Sequence, residues 1–325
     1  NIPDENRFWD FISLTPESTH MITWLFSDRG TVKSYRAMEG FGVNAYKWLN
    51  AEGKAVYVKY HWKPTAGVHS IDRHEAMRLA GEDPDVATRD LYDTIASGKT
   101  AEWELHVQIM DIADELKQTF DPLDATKTWP EDKFPLMKVG KMVLNRNPES
   151  FFAETEQVAF CPASIVPGID LSADKLLQGR VFSYADTQRH RLGANYLQLP
   201  INRPRVPVDN NQRDGAMQQM IHTGAVNYEP NTLADGMPCE APASQSEQYR
   251  LEGVAGRKKI SLTNDFEQAG ERYRSLSKVD KDHLVDNIVD SLGKTEKDIQ
   301  RRMVENLTKA DAELGKLVAQ GMKLV

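Results

Sequence analysis

The sequence is poor in cysteine and has no long apolar run, and each absence excludes a class of protein. Its two cysteines, Cys161 and Cys239, are too few for a disulfide framework or a cysteine-based zinc site. We interpret both as ordinary thiols. No apolar stretch reaches the roughly 18 residues that a transmembrane helix needs, so no membrane partner is expected.

Basic residues are fewer than acidic ones, so the formal net charge is −8. An acidic surface disfavours nucleic acid as a partner, since phosphate binding needs a basic face. The opening residues Asn1–Arg7 lack the basic and apolar regions of a secretory signal. No glycine-rich phosphate loop precedes a helix. These features predict a cytoplasmic, soluble protein, and the chain is long enough to bury a sizeable core.

Alternating apolar residues predict antiparallel strands in the first third of the chain. Residues 55–62 and 103–109 alternate between two faces. Phe41–Leu49 leads into Asn50–Gly53, which resembles a hairpin turn. The apolar run Met21–Phe26 is interpreted as another buried strand. Four strands are therefore expected before residue 112.

Helices are expected in two regions. Between the third and fourth strands, one helix should begin at Asp72, where Glu75 completes a capping box, and another at Asp83-Pro84. Near the carboxyl end, apolar residues recur every four positions; Gly293 should end one helix, and Thr295 with Asp298 should cap the next. The recurring residues are Leu284, Ile288, Leu292, Ile299, Met303 and Leu307.

The stretch Leu177–Tyr196 has the most unusual pattern. In a helix, Arg180, Tyr184, Gln188 and Arg191 follow one another at steps of four, four and three, so they share one strip. A cation one helical turn from a phenol favours the phenolate form by charge attraction and hydrogen bonding. Because a phenolate is a hard anionic ligand, this strip is a candidate metal site.

The run Arg180–Gln188 resembles the haem-ligand signature of the monofunctional haem catalases, which are the known example of tyrosine ligation to haem iron. Other segments resemble the small-subunit members of that family too, over nearly the whole chain, and together they match the carboxy-terminal two-thirds of a subunit. These segments are Phe8–Phe11, Trp24–Gly30, Asn145–Pro148 and Gln212–Gly215.

By this resemblance Tyr184 is the axial ligand of a haem, most simply of b type, and Arg180 keeps its phenolate ionised. Arg191 is expected to meet a haem propionate, and Asp174 to orient Arg180 from behind. The remaining residues expected at the haem or its edge are Leu176, Ser183, Gln188 and Phe160. His190 lies about 120° around the helix from Tyr184, so a structural role is predicted for it.

The sequence leaves open whether a second cofactor, NADPH, binds. In small-subunit catalases it is held by residues whose counterparts here are His20, Ser27, Arg29, Lys63 and Trp129. Neighbouring positions depart from the family: Trp24 replaces Phe, Glu39 replaces Asn, Phe41 replaces Tyr, Thr128 replaces Val and Glu131 replaces His. The two glutamates would add negative charge beside an anionic ligand, which weakens electrostatic complementarity.

The implied fold class is α+β. Residues 1–112 should form the second half of an antiparallel β-barrel with a helical insertion. Residues 113–250 should form a long wrapping segment that carries the proximal haem helix at about 174–191, and residues 251–325 a helical domain. Because the corresponding region of catalases wraps around neighbouring subunits, a homotetramer is implied.

The family's distal His and Asn motifs are absent from these 325 residues, although acid–base cleavage of peroxide needs a group within hydrogen-bond reach. We expect them from an amino-terminal part of the same subunit. The leading hypothesis is a haem catalase subunit that disproportionates hydrogen peroxide to water and oxygen. One alternative is a haem-binding fragment without catalase turnover, and another is a structural remnant that binds no haem.

Overall fold

The computed structural model describes residues 2–206, 208, 210–224, 226–239, 253, 256 and 263–324. A curled antiparallel sheet forms the half-barrel. Its strands are β1 (Gly40–Leu49), β2 (Ala55–Pro64), β3 (Ala101–Asp111), β4 (Met137–Leu144) and β5 (Ile169–Leu171). Their order in the sheet is β4-β3-β2-β1-β5. Bulges between Gly42 and Tyr46 and between Leu105 and His106 shift its register, and such bulges bend and twist a sheet.

The helices lie before, within and after this sheet. The α-helices are α1 (Glu5–Leu14), α2 (Thr19–Leu25), α3 (Arg73–Glu82), α4 (Val86–Ala96), α5 (Lys175–Leu192), α6 (Glu267–Ser275), α7 (Lys278–Leu292), α8 (Lys297–Ala310) and α9 (Ala312–Gly321). Short 3₁₀ helices occupy Pro16–Ser18, Asp28–Gly30, Tyr35–Ala37, Ile112–Lys117 and Tyr196–Gln198, and Phe152–Glu156 is a π-helix. None of the described helices combines the length and apolar character needed to cross a bilayer.

The predicted hairpin between β1 and β2 is confirmed. Asn50 uses its side-chain oxygen to accept hydrogen bonds from the backbone N–H groups of Glu52 and Lys54, at 3.1 and 2.8 Å. Gly53 has φ of +76°, a conformation that glycine adopts without steric cost. The turn therefore sets the register of the two central strands.

The strand predicted at Met21–Phe26 was wrong, because helix α2 occupies that run. Thr19, Ile22 and Thr23 are buried at helical spacing, whereas Met21 and Leu25 are exposed. A short apolar run cannot by itself distinguish a buried strand from one face of a helix. Three strands rather than four precede residue 112, and the sheet is completed by β4 and β5 from the stretch that was expected to form the wrapping segment.

The first helix of the insertion begins where the sequence predicts, and the second begins a few residues later than predicted. Asp72 caps α3 by accepting a hydrogen bond from the Glu75 N–H at 2.9 Å. The second helix begins at Val86 instead of at Asp83-Pro84, and its N-cap Asp85 makes no side-chain capping bond. Asp83 instead ends α3, with its N–H bonded to the carbonyl of Leu79, and its side chain accepts from Arg89 at 3.2 Å.

The carboxy-terminal helices pack against α1 and α2 around one apolar core. The predicted faces are confirmed, since Leu284, Ile288, Leu292, Ile299, Met303 and Leu307 are all buried there. Gly293 follows the last residue of α7, as predicted. The predicted cap of the next helix was wrong, because the Thr295 hydroxyl donates to the carbonyl of Leu292 at 2.7 Å and α8 has no side-chain cap.

Residues 196–239 are irregular over most of their described length. Within the described part of this stretch, regular structure is limited to the short helix Tyr196–Gln198. The expected boundary between residues 250 and 251 lies outside the described residues, so the division into three regions stays a prediction.

One contact of the carboxy-terminal helices makes stability depend on pH. His283 on α7 lies 2.7 Å from Asp28, from Nδ1 to Oδ2. This hydrogen bond raises the pKa of His283, and Asp72 and Asp280 raise it further. A raised pKa means that the stabilisation is fully present below the unfolded-state value of about 6.5 and is lost as pH rises through the folded-state value.

We therefore expect His283→Gln to lower the free energy of unfolding more at about pH 5.5 than at about pH 8.5. The difference should stay below about 1 kcal/mol, because the ring is partly exposed. Urea unfolding at both pH values measures it, and Asp28→Asn should reduce the same pH dependence, because Asp72 and Asp280 still raise the pKa of His283. An equal cost of His283→Gln at the two pH values would contradict the assignment.

Candidate functional site

Helix α5 carries the predicted strip and is fixed at both ends. At its start, Asp174 accepts a hydrogen bond from the N–H of Leu177 at 3.0 Å, and the Leu177 side chain is fully buried. At its end, Gly193 has φ of +112°, so the chain leaves the helix through a glycine conformation. The observed helix, Lys175–Leu192, agrees with the range expected from the sequence.

The centre of the strip is a pair formed by Arg180 and Tyr184. Arg180 Nη2 donates to the phenol oxygen of Tyr184 at 3.0 Å, and its guanidinium carbon lies 5.0 Å from the centre of the ring. The phenol is half-buried. This arrangement places a cationic hydrogen-bond donor directly against the phenol oxygen.

A buried chain of hydrogen bonds holds Arg180 in place from the sheet. Its Nη1 donates to the side-chain oxygen of Asn44 on β1. Asn44 in turn donates from Nδ2 to Asp174 Oδ2 at 2.8 Å, and both Asn44 and Asp174 are only 1% exposed. Asp174 therefore acts on Arg180 through Asn44 and not directly. Sequence reasoning missed Asn44, although a lone amide between Val43 and Ala45 in a predicted strand was a usable signal.

The far end of the strip docks onto the chain segment before it. Arg191 donates to the carbonyls of Glu156 and Val158 at 2.5 and 2.6 Å, and to Gln188 Oε1 at 2.6 Å. Gln188 is buried, and its Nε2 lies 3.4 Å from the carbonyl of Phe160. Arg191 thus joins the π-helical segment to α5, while its expected contact with a propionate stays a prediction.

Apolar side chains are exposed beside this strip. Phe160 is 79% exposed and Leu176 is 53% exposed, and Ser183 is also on the surface. Exposed apolar groups next to a supported phenol fit a flat, apolar macrocycle whose metal takes one anionic oxygen ligand.

Among the described residues, no group of three or more His, Cys, Asp or Glu could hold a bare metal ion. His190 projects into solvent, with Nε2 3.7 Å from Asp186.

The residues expected to hold NADPH lie elsewhere, and two of them bind a carboxylate of the chain itself. Arg29 Nη1 donates to Glu39 Oε2, and Lys63 Nζ donates to Glu39 Oε1 at 2.8 Å. Neither cation is therefore free for an external anion.

The other three residues of that set also use their polar atoms internally. The Ser27 hydroxyl donates to the Trp24 carbonyl at 2.7 Å. His20 bonds to the Thr126 carbonyl through Nδ1 at 2.8 Å and accepts from Trp24 Nε1 at 3.1 Å, and burial lowers its pKa. Trp129 donates to Pro122. As they stand, the five residues do not fit an NADPH molecule.

Comparison with known proteins gives matches over most of the chain. Residues 1–235 match the family model described as Catalase, and residues 259–322 match the one described as Catalase-related immune-responsive. The chain is 49% identical over 322 residues to a catalase of Listeria seeligeri, covering 99% of this chain and 66% of that protein.

Two further relatives come from Bacillus subtilis and Dictyostelium discoideum. Identity is 47% over 324 residues to Catalase-2 of Bacillus subtilis, covering 98% of this chain and 47% of the relative. It is 46% over 328 residues to Catalase-A of Dictyostelium discoideum, covering 99% and 66%. The chain thus spans between about half and two-thirds of the length of the curated relatives it matches.

Because Asp174 both caps α5 and accepts from Asn44, its loss should cost more than loss of an ordinary cap. We expect Asp174→Ala to lower the free energy of unfolding by about 2–4 kcal/mol, from the lost cap and a buried amide left unpaired. Asp72→Ala, at the exposed N-cap of α3, should cost about 1 kcal/mol. Chemical denaturation measures both, and equal losses would show that the Asn44 bond contributes nothing.

Proposed function

This chain belongs to the catalase family, and we propose that it works as part of a haem catalase subunit in the disproportionation of hydrogen peroxide to water and oxygen. The observation that carries the proposal is the hydrogen bond from Arg180 to the phenol of Tyr184 on a strip bordered by exposed apolar side chains. A cation beside a phenolate oxygen favours the anionic form, and guanidinium stays charged at every physiological pH.

Bound haem, of b type in this proposal, would supply an iron centre able to exchange electrons with peroxide. Tyr184 would hold it through the phenolate oxygen. Arg180 would keep that oxygen anionic and so set how strongly it donates to the metal. Phe160, Leu176 and Ser183 would contact the macrocycle or its edge, with Gln188 behind them.

Arg191 would meet a propionate in this proposal. Its guanidinium now donates to two backbone carbonyls, which are weaker partners than a carboxylate. A propionate could therefore add to these contacts or replace one of them without leaving the cation unpaired.

The proton transfers on peroxide need a distal acid–base group, which we propose is a His, with an Asn, from an amino-terminal part of the subunit. The histidines on the sheet and on α2 are poor substitutes. His20 is bonded at both ring nitrogens, His61 Nε2 is 2.9 Å from Gln108 Oε1, and His106 pairs with Glu104 at 3.1 Å. Burial also lowers the pKa of His61.

We further propose a homotetramer in the cytoplasm. The irregular stretch 196–239 exposes large apolar side chains, among them Val206, Ile221 and Leu233. A long loop without regular structure usually has a functional or binding role, and a neighbouring subunit would remove these side chains from water.

The alternative is a haem-binding fragment without catalase turnover. The similarity to proteins named catalase over nearly the whole chain does not favour it. The two functions share Tyr184 and differ only in oxygen release, so a haem spectrum without oxygen evolution by the complete subunit would favour the alternative.

Removal of the phenol oxygen should remove the iron ligand. We expect Tyr184→Phe, prepared in the complete subunit, to lose most of its haem absorbance near 400 nm, roughly the Soret position, and to evolve oxygen at least about a hundred-fold more slowly. Tyr92→Phe makes the same change at an exposed tyrosine on α4 and should change neither. Full haem content and activity in Tyr184→Phe would exclude the ligand assignment.

Loss of the supporting cation should have a smaller effect. Arg180→Gln keeps a hydrogen-bond donor but removes the charge, so we expect haem affinity to fall by about 10- to 100-fold. Titration of haem into the purified variant and the wild type measures the ratio. Arg189→Gln, exposed on the same helix, is the control and should bind haem as the wild type does.

A further inference from the structure

Away from α5, one buried carboxylate lies between two cations. The Glu39 side chain is only 7% exposed, and its two oxygens bind Arg29 and Lys63. Burial would raise the pKa of Glu39, but the hydrogen bonds from Lys63 and Arg29 outweigh it and lower the pKa. Glu39 is therefore an anion held by two cations that each keep about a third of their side chain exposed.

A third cation reaches the same place from the carboxy-terminal helices. The guanidinium of Arg272, on α6, lies 3.9 Å from the centre of the Trp24 ring, and that of Arg29 lies 5.9 Å from the same ring. Arg272 Nε is buried without a hydrogen-bond partner. No carboxylate among the described residues lies within ion-pair distance of Arg272.

The charges in this cluster therefore do not balance. Three cations, Arg29, Lys63 and Arg272, share one carboxylate. Burial lowers the pKa of Arg272, and the nearby charge of Arg29 lowers it further. A cluster with spare positive charge is unusual in a chain with a net charge of −8.

Acidic neighbours further out do not remove this excess. Glu104 stands opposite Lys63 in the sheet register, but it binds Lys138 and His106. Asp280 acts on Arg272 only at longer range. Glu39 is thus the carboxylate that decides the local charge.

We propose that Glu39 is an internal counter-ion that occupies an anion-binding site formed by Arg29, Lys63 and Arg272, and that its charge excludes phosphate-bearing ligands such as NADPH from this chain. A phosphate in this place would lie against the carboxylate, and like charges at such distances cost several kcal/mol. This inference does not depend on haem binding or on catalase activity.

Two residues that match the family's NADPH site therefore do not form such a site in this chain. Arg29 and Lys63 stand where the resemblance requires them, yet each already donates to an oxygen of Glu39. An amide at that position would leave their geometry intact and their charge available. Replacing the Glu39 carboxylate with an uncharged amide should therefore allow a phosphate-bearing ligand to bind.

Equilibrium binding of NADPH, NADH and inorganic phosphate to the full chain tests this at low salt, where screening is weak. We expect Glu39→Gln to bind NADPH at least about ten-fold more tightly than the wild type does. NADH, which lacks the 2′-phosphate, should bind the variant more weakly than NADPH does. Adding Lys63→Gln to Glu39→Gln should reverse the gain.

Asp90→Asn is the matched control, because Asp90 also pairs with an arginine and a second donor, Arg36 and Ser34, elsewhere in the chain. It should leave NADPH affinity unchanged. Equal NADPH affinity of wild type and Glu39→Gln, or no gain in a folded Glu39→Gln, would overturn the proposal. Equal binding of NADH and NADPH would overturn the phosphate assignment. If Glu39→Gln does not fold, Glu39→Asn decides by the same measurement.

Discussion

The buried hydrogen bond between Asn44 and Asp174 is the contact on which the α5 site depends. Buried polar groups must find partners, because an unpaired one costs about 1–3 kcal/mol. Asp174 satisfies two donors at once, the first turn of α5 and the amide of Asn44. Asn44 then presents its oxygen to Arg180. Three side chains thus position the Tyr184 phenol. Asp174 fixes Asn44 on the sheet, Asn44 fixes Arg180, and Arg180 donates to the phenol.

The sheet can transmit that position because β5 delivers the chain to the start of α5. This three-residue strand pairs with β1 from Trp48 to Tyr46, and the helix N-cap follows it within three residues. The Ser172 hydroxyl between them donates to the Ala45 carbonyl at 2.5 Å. A one-residue slip of β5 would turn its side chains to the other face and would separate Asp174 from Asn44. The shortest strand of the sheet is therefore the one that positions the candidate site.

Sequence patterns predicted the parts of this arrangement that depend on neighbours along the chain. The Arg180–Tyr184 contact, the Asn50 turn and the apolar faces of α7 and α8 all follow from local spacing. The parts that were missed depend on tertiary partners. Helix α2 looks like a strand because its buried face is short, and β5 is too short to show alternation. Asn44 acquires its role only when β1 meets α5, more than a hundred residues later in the chain. Glu39 was recognised as a charge change, but its simultaneous pairing with Arg29 and Lys63 required the folded sheet.

The clusters around Arg180 and Arg29 differ in the group that accepts the hydrogen bond of the guanidinium within the protein. That difference decides which anion each arginine can bind. Arg180 rests on the neutral oxygen of Asn44, with the nearest carboxylate one hydrogen bond further away. Its positive charge is therefore still available to an anionic phenol in front of it. Arg29 donates to a carboxylate, so an anion already occupies the place where a ligand's anionic group would bind. Guanidinium geometry alone does not make an anion site. An arginine serves an external anion only when the atoms behind it supply hydrogen-bond acceptors without supplying negative charge.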